Sequence, residues 1–203
     1  HCQGSFEDKE AYMHIAEKLV SLDGEIGQCS NKLFYLAASP SSYAVIFDNL
    51  ASSGLTIPCG GKEGWTRVLV EKPFGKDLET AQELESRLSK LFREEQIFRI
   101  DHYLAKETVQ NILAFRFSNI LFEPLWNNKY IERVEINLYE KFGIEGRGAF
   151  YDGVGALRDV GQNHVLQMLA LVAMEDPREL DADLIRKARS RALGSLRLDE
   201  LLS

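Results

Sequence analysis

Arg67-Val68-Leu69-Val70-Glu71, closed by Lys72-Pro73, is a short run of branched apolar residues stopped by a proline. Such a run is too brief for a buried helix and rich in the side chains that suit a pleated surface, so it predicts a buried strand. Two similar runs flank it. Upstream, Leu33-Phe34-Tyr35-Leu36-Ala37 stops at Ser39-Pro40; downstream, Gln96-Ile97-Phe98-Arg99-Ile100 runs into Asp101. Between them the periodicity changes. Tyr43 to Leu50 reads as helix, and Leu78, Ala81, Leu84, Leu88 and Leu91 recur at spacings of three and four after Asp77, a natural N-cap. Lys9 to Leu22 adds a helix with Tyr12, Ile15, Ala16 and Leu19 on one face, and Ser52 to Gly64 reads as loop. Short apolar strands alternating with helices predict a parallel sheet covered on both faces.

Beyond residue 102 the pattern shifts. Val134, Ile136 and Leu138 alternate with Glu135, Asn137 and Tyr139, which predicts a strand with one wet face. A Gly-rich connection, Gly143 to Gly155, leads to an apolar helix over Val160–Met174, and the tail from Asp181 reads as a charged, solvated helix. The fold class expected is therefore α/β followed by α+β, with one domain over 1–102 and the next over 103–203.

Composition narrows the function. The 203 residues carry 31 acidic against 24 basic side chains, a net charge of −7, which disfavours a nucleic-acid binder. The longest apolar stretch, Val165 to Met174, is broken by Gln167 and falls short of the roughly 18 residues a membrane span needs. The first ten residues hold Glu7, Asp8, Lys9 and Glu10 rather than a signal peptide's apolar core. Cys2, Cys29 and Cys59 are an odd number without C-x-x-C spacing, which fits a reducing compartment.

Four positions could do chemistry. Asp101 and His102 fall at the carboxyl end of a predicted strand, where ligands of α/β sheets sit. Lys106 lies four residues after His102; a helix starting there would put both cations beside unpaired N–H groups, a good seat for a phosphate ester. His164 lies early in the apolar helix with Asp159 just before it, and a carboxylate on one ring nitrogen would make the imidazole a general base. Plainer readings stand beside these. His164 could be a hydrogen-bonded core residue, Asp159 an N-cap, and His102 and Lys106 solvated charges. Four scattered histidines give no zinc-type spacing, and Gly153-Val154-Gly155 lacks the third glycine of a dinucleotide fingerprint.

Arg99-Ile100-Asp101-His102-Tyr103-Leu104-Ala105-Lys106-Glu107 resembles the active-site signature of the glucose-6-phosphate dehydrogenase family, which usually has Gly where Ala105 stands. Val70-Glu71-Lys72-Pro73-Phe74-Gly75-Lys76-Asp77-Leu78, Glu145-Gly146-Arg147-Gly148 and Arg158-Asp159-Val160 with Gln162-Asn163-His164 are similar to three further family motifs, in the right order. The resemblance implies oxidation of glucose 6-phosphate at C1 to 6-phosphogluconolactone, with hydride passed to NADP (or NAD). It implies that His164 accepts the proton and that Asp101, rather than Asp159, supports it. His102, Tyr103 and Lys106 would hold the sugar phosphate; Glu140 and Asp159 would bind sugar hydroxyls. Lys72 would touch substrate and, with Tyr43 and Pro40, the cofactor. The family is also expected to be cytoplasmic and homo-oligomeric, without membrane or nucleic-acid partners. Relative to the family, the given sequence is expected to lack the opening strand and Gly-rich phosphate loop and most of the later sheet. The resemblance therefore implies an incomplete copy of the enzyme, with a partial Rossmann-type sheet over 1–102 and the start of the substrate domain over 103–203.

Overall fold

A computed structural model describes residues 1–59, 64–75, 77–139, 141, 143–146 and 148–197, with 149 and 150 described by backbone alone. The chain forms two compact units, His1–Ile100 and Asp101–Ser203.

The first unit is built on three parallel strands in the order β1-β2-β3: β1 Lys32–Leu36, β2 Thr66–Val70 and β3 Ile97–Arg99. Lys32 pairs with Thr66 and Leu36 with Val70, so β1 and β2 start and end level. Helices α1 Lys9–Ile26, α2 Tyr43–Ser52 and α3 Leu78–Leu91 connect them and pack on one face. Leu33, Tyr35, Arg67 and Phe98 on the other face are exposed, so the expected cover on both faces is not seen among the described residues. Val68 and Val70 are wholly buried and pack with Phe47, Ile46, Leu50, Leu88, Phe92 and Ile97. Each of these aliphatic or aromatic side chains contributes roughly 1.5–3 kcal/mol by leaving water. Asp77 caps α3 as expected: its carboxylate accepts from Thr80 N at 2.9 Å, and the Thr80 hydroxyl accepts from Asp77 N at 3.2 Å. The Lys72–Pro73 peptide is cis.

The second unit is helical among its described residues. It comprises α4 Glu107–Phe117, α5 Gly148–Ala156, a nine-residue π-helix Leu157–Val165, α6 Leu166–Ala173 and α7 Ala182–Gly194. Three expectations change here. Residues 131–139 keep their alternation, with Ile136 and Leu138 half-buried between exposed neighbours, but form no strand. A strand exists only through a ladder partner, and none lies among the described residues of this unit. The apolar helix begins well before Val160: the Gly-rich connection is itself helical from Gly148, and it breaks only at Gly155. There φ is 70°, a conformation that suits glycine. The tail is not simply solvated, because α7 buries Ala188 and packs Ile185 and Ala192 with Val109, Leu171 and Met174.

Arg116 closes this core from within. At 2% exposed, it donates to the carbonyls of Leu171 (2.9 Å) and Val172 (2.8 Å) and to Glu123 Oε1 (3.1 Å). A cation is favourable at the carbonyl end of a helix, and α6 ends at Ala173. Among the described residues, no helix is long and apolar enough to cross a membrane.

Candidate active site

The second unit begins with a tight chain reversal. Leu104 N donates to Asp101 O and Lys106 N to Tyr103 O, each at 3.1 Å, and α4 then starts at Glu107. Lys106 is the residue before the helix, with extended backbone angles (φ −69°, ψ 130°). His102 and Lys106 therefore do not share a helical face, as the sequence had suggested. They are brought together through Tyr103, whose ring centroid lies 4.9 Å from that of His102 and 3.8 Å from Lys106 Nζ.

The reversal delivers Asp101 to the π-helix. His164 Nδ1 and Asp101 Oδ1 are 2.7 Å apart across 63 residues of chain. A carboxylate only accepts, so Nδ1 carries the proton and donates it, which leaves the basic lone pair on Nε2. The same Asp101 oxygen accepts from Tyr103 N at 3.0 Å, which fixes its orientation. His164 is 1% exposed. The Tyr103 ring stacks on it at 4.1 Å and 22°, and the His102 ring meets it edge-on at 4.6 Å. Asp159 lies in the same π-helix and is also buried. Glu140 and Arg147 lie outside the described residues. Lys72 and Tyr43 belong to the first unit. Lys72 is half-buried just beyond β2; Tyr43 is 2% exposed, and its hydroxyl donates to Glu71 O at 3.0 Å. Pro40 is exposed and opens a short 3-10 turn after β1.

The meeting of Asp101 with His164 was expected from the family motifs; together with His102 they offer ligand atoms within 4.8 Å of one another. One feature had escaped the sequence reading. Arg189, on α7, is near enough for the charge of Asp101 to act on its guanidinium. Burial lowers the Arg189 pKa from its ordinary value, with Asp101 working against that and Arg186 adding to it. Arg189 also donates to Gln167. The signal for its inward position was present: Ile185, Ala188, Arg189 and Ala192 fall on one helical stripe.

Comparison with known proteins gives this arrangement its context. Residues 1–111 match the glucose-6-phosphate dehydrogenase NAD binding domain, and residues 113–201 match the C-terminal domain of the same enzymes. The chain belongs to the glucose-6-phosphate dehydrogenase family. It is 48% identical over 199 residues to glucose-6-phosphate 1-dehydrogenase 2 of Mycobacterium tuberculosis, covering 98% of this chain and 38% of that protein. The Aggregatibacter actinomycetemcomitans enzyme is 48% identical over 192 residues, covering 94% and 38%. A solved structure of glucose-6-phosphate dehydrogenase in complex with its substrate glucose-6-phosphate matches with a TM-score of 0.83 at 39% identity, covering 93% of this chain and 38% of that one. The Mycobacterium avium enzyme matches with a TM-score of 0.79 at 43% identity, covering 94% and 39%. The chain thus spans under two-fifths of the length of these relatives. Its fold is the family's Rossmann-like parallel sheet followed by the start of the C-terminal domain.

Proposed function

We propose that this chain carries the proton-abstracting centre of an NADP-linked glucose-6-phosphate dehydrogenase, which oxidises the C1 hydroxyl of glucose 6-phosphate to the lactone. The observation that carries the reading is the 2.7 Å contact between Asp101 and His164. Loss of hydride from C1 requires loss of the hydroxyl proton, and an imidazole held as the Nδ1–H tautomer has Nε2 ready to take it. A positioned base of this kind contributes roughly 10²–10⁴-fold. Asp101 steadies the imidazolium that forms.

His102 and Lys106, both against the Tyr103 ring, supply an imidazole and an ammonium, a pairing that suits a phosphate monoester. Binding that remote group orients the reacting carbon. Asp159 and Glu140 would take sugar hydroxyls. Lys72, with Pro40 and Tyr43 nearby in sequence to the ends of β2 and β1, would meet the cofactor. Those residues fit a dinucleotide: two parallel strands end level, and an ammonium-bearing residue and an exposed turn follow them directly, where such ligands sit. The nicotinamide, when bound, supplies the hydride acceptor. A homo-oligomeric, cytoplasmic enzyme is part of the same reading.

The test is kinetic. In the enzyme, His164→Asn is expected to lower kcat by at least about 100-fold with little change in KM. Glucose 6-phosphate should be preferred over glucose, and Lys106→Ala should remove most of that preference. Retention of activity by His164→Asn would end the reading. A preference for glucose would move the substrate to a free sugar.

A further inference from the structure

The first unit holds a second cluster, made of residues to which no role has been given above. Cys29 lies just before β1 and Cys59 before β2, and the level start of the two strands brings them together. Asp23, Cys29 and Cys59 present an oxygen and two sulfurs all within 4.8 Å of one another. Gly64 lies against both cysteines: a Cβ on it would lie 2.7 Å from that of Cys29 and 2.9 Å from that of Cys59. The surrounding backbone is tied down. Cys59 N donates to Gly64 O at 3.1 Å, Asn31 Oδ1 accepts from Gly64 N at 3.0 Å, and Lys32 N donates to Trp65 O at 2.8 Å. Lys32 Nζ lies 3.1 Å from Asp23 Oδ2 and 3.6 Å from Cys59 Sγ, and Cys59 Sγ lies 3.8 Å from the same carboxylate oxygen.

We infer that Cys29 and Cys59 are a reversible disulfide site, with Cys59 as the attacking thiol and Cys29 as the resolving one. Cys59 is exposed and Cys29 half-buried, so an incoming reagent meets Cys59 first. The nucleophile in thiol exchange is the thiolate, and the sulfur an incoming reagent meets first is the one beside the Lys32 ammonium, at 3.6 Å. The hydrogen bond with Cys59, followed by burial and the charges of Cys59 and Asp23, raises the Cys29 pKa from its ordinary value, which suits a thiol that reacts second. The same donor atoms could hold a metal ion, but the Lys32 ammonium already occupies the cation's place between Asp23 and Cys59.

The oxidant is a low-molecular-weight disulfide. The Cys59 thiolate attacks one of its sulfurs, its S–S bond breaks, and one thiol leaves. Cys29 then attacks the Cys59 sulfur of the mixed disulfide and expels the second thiol. Two cysteine thiols are oxidised, one disulfide is reduced to two thiols, and the two cysteine protons end on the released thiols.

The experiment treats the chain with oxidised glutathione, alkylates the remaining thiols and maps the peptides by mass spectrometry. The expected result is a linked peptide pair joining Cys29 to Cys59, lighter by two hydrogens, with Cys2 alkylated and full reversal by dithiothreitol. Cys29→Ser should trap glutathione on Cys59. Cys59→Ser should slow modification of Cys29 at least about tenfold. Alkylation of both cysteines in the unaltered chain, or a glutathione adduct on Cys59 that Cys29 never resolves, would overturn the inference. So would protection of both thiols by micromolar zinc without a disulfide, which would assign the cluster to a metal.

Discussion

Asp101 and Asp23 are each the anionic centre of a small polar cluster, and the two clusters differ in what the carboxylate holds. Asp101 accepts from an imidazole and one backbone N–H, so its partner is a group that can take up and release a proton. Asp23 accepts from the backbone and hydroxyl of Ser30 and from Lys32, groups that keep their protons across the working range. These hydrogen bonds, Ser30 first, hold the Asp23 carboxyl down at about 2. The first arrangement moves a proton; the second fixes the chain between α1 and β1. A carboxylate alone does not announce which it does.

The comparison breaks most visibly at Asp101. Asp101→Asn should lower kcat by about 100-fold or more, because the amide would favour the wrong imidazole tautomer, and NMR of His164 should lose its hydrogen-bonded Nδ1–H signal. An unchanged signal would mean the 2.7 Å contact does not set the tautomer. Lys106→Ala should act mainly on KM for the phosphorylated sugar, raising it roughly tenfold or more through loss of a charged hydrogen bond. Chemical denaturation of Gly64→Ala should show a loss of about 1–3 kcal/mol, since φ is 74° and the new methyl meets both cysteine Cβ atoms.

At Asp23 the sign follows from its depressed pKa. Its contribution is present above the unfolded carboxylate value and is lost as pH falls through about 2. Asp23→Asn should therefore lower Tm at pH 7, and the gap from the parent chain should narrow between about pH 4 and pH 2. A gap independent of pH would refute the charge assignment. Arg186→Ala, which removes an exposed pair with Asp183, should change stability by less than about 0.5 kcal/mol and serves as the baseline.

The sheet was legible because its strands are local: three apolar runs stopped by Pro or Asp mark β1, β2 and β3 within a residue or two. The α3 cap was equally local. What needs two distant segments was not legible from residue patterns. Reading the residues alone coupled His164 to Asp159, its neighbour in the chain, and only the family motifs pointed to Asp101. Residues 131–139 show an alternating pattern, but pattern without a ladder partner makes no strand. The Cys29–Cys59 approach has no sequence spacing to betray it. It follows from the register Lys32↔Thr66, which a list of residues does not contain.

The π-helical turns at Leu157–Val165 carry both Asp159 and His164. A π-helix holds a residue more per turn than an α-helix would. Removing Val165, which alone stands between His164 and α6, would swing His164 by about a quarter of a circle relative to α6. The apolar packing of α6 would survive while the imidazole lost its carboxylate. Aim and support are thus separately adjustable along one continuous rod, and a single-codon deletion would disarm the base without unfolding the helix that bears it.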